Sequence, residues 1–291
     1  MSIDKLHERI RKLKNPTVLD MAISSHLLPP HLQQEEGTYL NAYLRFCREL
    51  MDALKDNVSG LRFSFDHFGL LGPKGLEALS LLLQEAKQIG YYVFLDSPQI
   101  LSPTAAELAA ETLFGCNDYP CDALIVSPYI GSDALKPFLT PCAEGNKAIF
   151  AVVRAANKSA SELQDLLSGT RQVYIAAADI VNRLGEISYG KCGYSRIGAL
   201  ASAGAPNSLL NLRGNYKRLY LFVDGMDYPS ANAKNCSAAF DRFGYGAVVC
   251  AGVSVTAAWK ESESDGRDYI ELAVQAAERM KRNLLRYITI L

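Results

Sequence analysis

The chain has 291 residues, 49% of them hydrophobic, and a formal net charge of -1. Its length suits one large alpha/beta domain over residues 1–291 better than two small domains. The near-neutral balance gives no general attraction for nucleic acid or an anionic membrane, and no apolar run reaches the roughly 18 residues of a membrane span.

In chain order, MSIDKLHERIRKLKNP has basic residues without a following apolar segment, which argues against secretion and for a cytoplasmic home. It reads as an amphipathic helix through Ile3, Leu6, Ile10 and Leu13. Thr17 to Met21 is the first candidate strand. Tyr39, Leu40, Tyr43, Leu44, Cys47, Leu50 and Leu54 recur at helical spacing. Leu61 to Phe65 is a second strand broken by polar residues, and Pro73 opens a helix that Gly90 ends. Tyr91 to Asp96 is the third strand, and Ser102 before Pro103 has the form of an N-cap for the helix that follows.

Further strands are read at Ala123–Val126, Ala148–Val153, Ile197–Ala201, Leu219–Val223 and Ala247–Cys250. Helices are expected at Ser132–Leu139, Ser159–Leu167, Val173–Leu184 and from Asp268 to Leu284. GEISYGKCGYS reads as an excursion before strand six, and Ser262 to Gly266 as a solvated loop. Alternating apolar strands and helices predict a TIM (beta/alpha)8 barrel with an N-terminal capping helix. An open doubly wound sheet is the alternative, but the first strand lacks the glycine fingerprint of a dinucleotide fold.

The seven cysteines, Cys116 among them, are scattered without CxxC spacing, and the four histidines form no metal motif. The expectation is a reduced chain in a cytoplasmic, reducing home, without a metal motif. In a barrel the chemistry gathers at the C-terminal strand ends. There the sequence places Asp20, Arg62, Ser64, Asp66, Asp96, Gln99, Ser127, Tyr129, Arg154, Asn157, Ser202, Asp224 and Asp227. Asp96 needs a partner if buried, and Arg62 or Arg154 could supply it. Asp96 is then either half of a structural ion pair or a ligand-binding carboxylate. Arg62 and Arg154 either neutralise an acid or receive a small anionic ligand. Asn157 could cap a helix near Ser159, and His67 with Asp66 could do acid–base work near neutral pH.

The segments IDKLHERIRKLKNPTV, LLPPHL, GPKGLEALSLLLQEAKQIGYYVFLD, SPYIGSDALKPFL, ELQDLLSG, GYSRIGA and AAFDRFGYGAVV occur in this order. With them the chain resembles the orotidine 5'-monophosphate decarboxylase family, in its longer bacterial form, over nearly its whole length. The resemblance implies a homodimer of TIM barrels and a decarboxylation in pyrimidine biosynthesis that needs no cofactor or metal. It implies a lysine on strand two and an Asp-x-Lys-x-x-Asp motif after strand three, whose second acid reaches the neighbouring subunit.

The strand-two lysine position falls on Arg62, and the motif falls on Asp96, Pro98 and Leu101. The strand-one acid becomes Ala22. After strand eight, the phosphate-gripping arginine becomes Val253, beside Gly252. DGMDYPSAN replaces the glycine-rich loop after strand seven, and Ala155-Ala156-Asn157-Lys158 the motif after strand five. Asp20, Arg62, Asp96, Arg154, Asn157 and Asp227 remain as ligand-binding candidates. The expectation is a paralogue that has lost decarboxylation. The alternatives are an enzyme of altered substrate, which a mouth plugged by Leu101, Met226 and Val253 would rule out, and an active decarboxylase.

Overall fold

The apolar runs become the eight parallel strands of a closed barrel: β1 (Thr17–Asp20), β2 (Gly60–Ser64), β3 (Tyr92–Asp96), β4 (Ala123–Val126), β5 (Ala148–Val152), β6 (Ile197–Ser202), β7 (Leu221–Asp224) and β8 (Ala247–Ala251). The computed structural model describes residues 1–115, 118–262 and 264–291, so Cys116 and part of the Ser262–Gly266 loop lie outside the described residues. β1 pairs with β2 on one side and with β8 on the other, which closes the cylinder. The strands are apolar along most of their length because helices cover the outside while side chains fill the inside, and polar residues gather toward their C-terminal ends.

The interior is layered. Phe94, Phe150 and Phe222 come from alternate strands β3, β5 and β7, and their ring centroids lie 5.0 to 6.1 Å apart. Rings from non-adjacent strands can meet only across the barrel axis. Glycine makes the room: a Cβ on Gly198 would come within 2.6 Å of the Phe150 ring. One on Gly60 would stand 3.2 Å from Phe94 and 2.8 Å from the Tyr92 carbonyl.

The N-terminal helix, Ser2–Leu13, buries Ile3, Leu6 and Ile10. It closes the end where the strands begin: Ser2 Oγ donates to the Asp122 carbonyl at 2.8 Å and lies 2.7 Å from the Tyr92 hydroxyl. The excursion before β6 is tied to the same helix, since the Cys192 amide donates to Asp4. The opposite end is left open.

Several boundaries differ from expectation. β2 stops at Ser64 because the next residues form a helical turn, Phe65–Gly69, with the Ser64 hydroxyl accepting from the His67 amide. The stretch from Ser132 is two 3-10 turns followed by a helix at Leu139–Glu144, because Pro137 interrupts continuous hydrogen bonding. The segment from Ser159 ends early, at Gln164, and gives way to a small hairpin of Leu167–Ser168 with Arg171–Gln172. Pro206–Asn215 is a helix the periodicity does not announce. Its buried Arg213 donates to the carbonyls of Ala239, Lys217, Leu219 and Gly246. The Ser102 cap forms as expected, its hydroxyl accepting from the Ala105 amide at 3.2 Å.

Candidate functional site

Four charged side chains meet at the open end, each carried to the C-terminal half of its strand. Arg62 lies on β2 between Asp20 of β1 and the chain of Asp96 on β3. Its Nε stands 3.0 Å from Asp96 Oδ1 and its Nη2 2.7 Å from Asp96 Oδ2. Its Nη1 donates to Asp224 at 3.0 Å, with Asp20 at 3.4 Å. The guanidinium carbon lies 5.7 Å from the centroid of Phe222, so the cluster rests on the phenylalanine layer.

Three acids on one arginine leave excess negative charge, and the titration follows. Burial pushes the Asp20 carboxyl up to about 6; Arg62 pulls it down, while Asp96 pushes it further up. Burial also raises Asp96, against the pull of Arg62. Burial opposes the charge on Arg62, but Asp96, Asp224 and Asp20 outweigh it and hold the guanidinium protonated. Cys250, beneath the cluster, is pushed up by burial and then by Asp20 and Asp224, which keeps it a thiol and a poor nucleophile.

Asp227 has a different role. Its carboxylate accepts from three consecutive amides at the start of the Val253–Thr256 helical turn: Gly252 at 2.7 Å, Val253 at 3.1 Å and Ser254 at 3.1 Å. The loop returns to reach them through Gly225, whose φ is +79°. A Cβ there would lie 2.6 Å from Ala156 and 2.8 Å from the Tyr228 ring.

The remaining candidates separate. Arg154 does not meet Asp96. It is 7% exposed and forks onto Asp165, Nε to Oδ1 at 2.8 Å and Nη2 to Oδ2 at 2.9 Å. Asn157 lines the mouth and makes no side-chain cap to the following turn. His67 packs edge-on against Tyr43 and Phe68, 3.5 Å from the Tyr39 hydroxyl, and burial lowers its pKa. Asp66 is exposed, and neither residue lines the mouth. Tyr129 donates to the Val153 carbonyl, and the Ser202 hydroxyl accepts from the Gly204 amide within its own turn.

The mouth itself is open, with a cavity of about 510 Å³. Asp20, Arg62, Asn157, Asp224, Asp227 and Val253 are among its lining. Leu101 does not plug it, being 77% exposed, and Val253 is 41% exposed on its rim. Met226 turns aside against the Cys236 sulfur at 3.6 Å. Of the two roles open to Arg62 and Arg154, neutralising an acid or receiving a small anionic ligand, the structure shows the first: both guanidiniums are held by carboxylates, and Arg62 is the only cation among the described lining residues. What the arrangement offers is a polar pocket of negative character.

Sequence reasoning did not foresee Asp224 as a partner of Arg62, nor Asp165 as the partner of Arg154. Asp224 was visible only as an acid ending an apolar run. Asp165 carried no signal beyond lying 11 residues from its partner.

No protein-family model matches the chain. Curated relatives do. An orotidine 5'-phosphate decarboxylase of Rhodopirellula baltica is 30% identical over 262 residues, covering 86% of this chain and 87% of the relative. One of Clostridium novyi is 27% identical over 286 residues, 98% of each chain. Among solved structures, OMP decarboxylase of Leishmania donovani superposes with a TM-score of 0.70 at 22% identity, covering 97% of this chain and 99% of that one. That likeness carries the barrel fold.

Proposed function

The chain belongs to the orotidine 5'-phosphate decarboxylase family, and from that premise we propose that it is a member without decarboxylase activity whose open barrel mouth binds a small molecule. The observation that carries the reading is the engagement of Arg62. Where the resemblance puts a lysine, this chain has a guanidinium held by Asp96, Asp224 and Asp20. An arginine stays protonated at neutral pH and cannot deliver a proton to a carbanion as a lysine can. Pro98 and Leu101, at the motif's lysine and second acid, carry no charge, and Leu101 points into solvent.

The test is steady-state decarboxylation of orotidine monophosphate at high protein concentration, followed by loss of substrate absorbance. Folded protein is expected to give no rate above background. A rate that disappears in Asp96→Ala would overturn the reading and restore a role in pyrimidine biosynthesis.

An enzyme of altered substrate is the second reading, favoured by the unplugged cavity of about 510 Å³. The reading treats residues 1–291 as one functional unit, acting in the cytoplasm as a homodimer. For the dimer, the supporting feature is Leu101, a large apolar side chain left exposed in the loop that the resemblance places near the partner subunit. Light scattering of the wild type and of Leu101→Asp checks it: a dimer weakened by the variant is expected.

A further inference from the structure

Backbone amides at the start of a helical turn lack partners within the helix and favour an anion. In TIM barrels the loops after strands seven and eight often use such amides to bind a phosphate group. Here the corresponding amides of Gly252, Val253 and Ser254 already converge on one anion, the carboxylate of Asp227. We infer that Asp227 sets the ligand class of the mouth: it fills the amide nest with the chain's own carboxylate, and the pocket takes a ligand without a phosphate group, neutral or cationic where it faces Asp20 and Asp224.

Three independent features support this. The first is the tether. Asp227 stands three residues beyond the end of β7, and the turn is pinned by Gly225 and by the Tyr228 amide donating to the Gly225 carbonyl at 3.1 Å. A carboxylate held on so short a connection competes at an effective concentration on the order of millimolar or above, so a free phosphate must displace an intramolecular rival. The second is space: Gly252 approaches closely because it has no Cβ, which would stand 3.2 Å from Asp227 Oδ2 and 3.3 Å from Asp20 Cβ. The third is charge. A phosphate entering beside Asp227 would also face Asp20 and Asp224, and Arg62, the one cation among the described lining residues, is already bound to both of those acids and to Asp96. Like charges at this range oppose its entry.

The inference rests on the proposed ligand-binding mouth and names its ligand class. It is tested by following the Gly252, Val253 and Ser254 amide resonances of ¹⁵N-labelled protein during titration with inorganic phosphate and with uridine 5'-monophosphate. The wild type, Asp227→Gly and Asp227→Asn are compared, each with the rest of its spectrum as the control for folding. The wild-type amides are expected to stay in place at millimolar phosphate. Those of Asp227→Gly are expected to move, with a gain in affinity of about tenfold or more; Asp227→Asn, which keeps the shape but not the charge, falls between. Wild-type amides that move as readily as those of the variants would overturn the inference, as would amides that stay in place in both variants. Phosphate binding by the wild type without turnover of orotidine monophosphate sinks this inference alone, whereas turnover sinks the proposed function.

Discussion

Arg62 and Asp96 sit on adjacent strands and share two nearly parallel hydrogen bonds, Nε to Oδ1 at 3.0 Å and Nη2 to Oδ2 at 2.7 Å. The fork places the third nitrogen, Nη1, toward Asp224 and Asp20. One guanidinium therefore fixes the spacing of three strand ends, and its geometry decides what the mouth can do.

Removing that guanidinium leaves three half-buried carboxylates facing one another. Arg62→Ala is expected to cost about 3–5 kcal/mol at pH 7, read by urea unfolding. Arg62→Lys keeps a charge but loses the fork, and should cost less. The deficit of Arg62→Ala should shrink on acidification, as the carboxylates take up protons. A loss that is the same at pH 5 and pH 7 would place the energy in packing against Phe222 instead.

Stability should also respond to Asp20 itself. Its pKa is about 6 in the folded chain against 3.8 for an ordinary carboxyl. A raised carboxyl stabilises the fold fully below the lower value, and that contribution is lost as pH rises through the upper one. Between pH 4 and 7 the stability of wild type minus Asp20→Asn is expected to fall by about 1–3 kcal/mol. Burial lowers His7 and His67, which pulls the other way, but both histidines are present in each protein and cancel in the difference. A flat difference curve would refute the assignment.

Gly225 is the turn that delivers Asp227. Gly225→Ala forces a Cβ into Ala156 and the Tyr228 ring at a positive φ. The expected cost is about 1–3 kcal/mol, together with faster hydrogen exchange at the Gly252 and Val253 amides. Exchange unchanged at those amides would show that the loop finds another route.

Arg154 and Asp165 clamp the segment after β5. Asp165→Asn should loosen the hairpin of Leu167–Ser168 with Arg171–Gln172, seen as faster amide exchange there and not in the barrel strands. The change in global stability should stay near 1 kcal/mol, because Asp165 is partly open to water.

Restoring the motif residues alone should not restore the family reaction. Pro98→Lys with Leu101→Asp changes two residues outside the core and should shift stability by about 1 kcal/mol or less. Decarboxylation of orotidine monophosphate by this double variant is expected to stay at background, since Arg62 and Asp227 remain. Measurable turnover would move the block to the motif itself.

The barrel was legible because its strands are apolar on both faces and its helices keep their period, as Tyr39–Leu54 does with Tyr43, Leu50 and Leu54 buried. Pro206–Asn215 escaped because polar residues and Gly214 dilute the pattern, and its key contacts are made by a buried arginine. At the site, Arg62 was legible as a charge interrupting an apolar run opposite Asp96. Its bond to Asp224 joins residues 162 positions apart, a closure that only the completed cylinder creates. Asp227 was singled out for its acid, but its partners are backbone amides, which every residue but proline carries and which no side-chain pattern marks.

The layer of Phe94, Phe150 and Phe222 has one more consequence. It divides the cylinder into an upper storey of polar strand ends and a lower storey closed by the N-terminal helix. Changes made on opposite sides of it share few neighbours and should combine additively. A designer could therefore retune Asn157 at the mouth and the N-terminal helix at the other end independently, keeping the Arg62 cluster as the fixed frame of a chassis for new ligands.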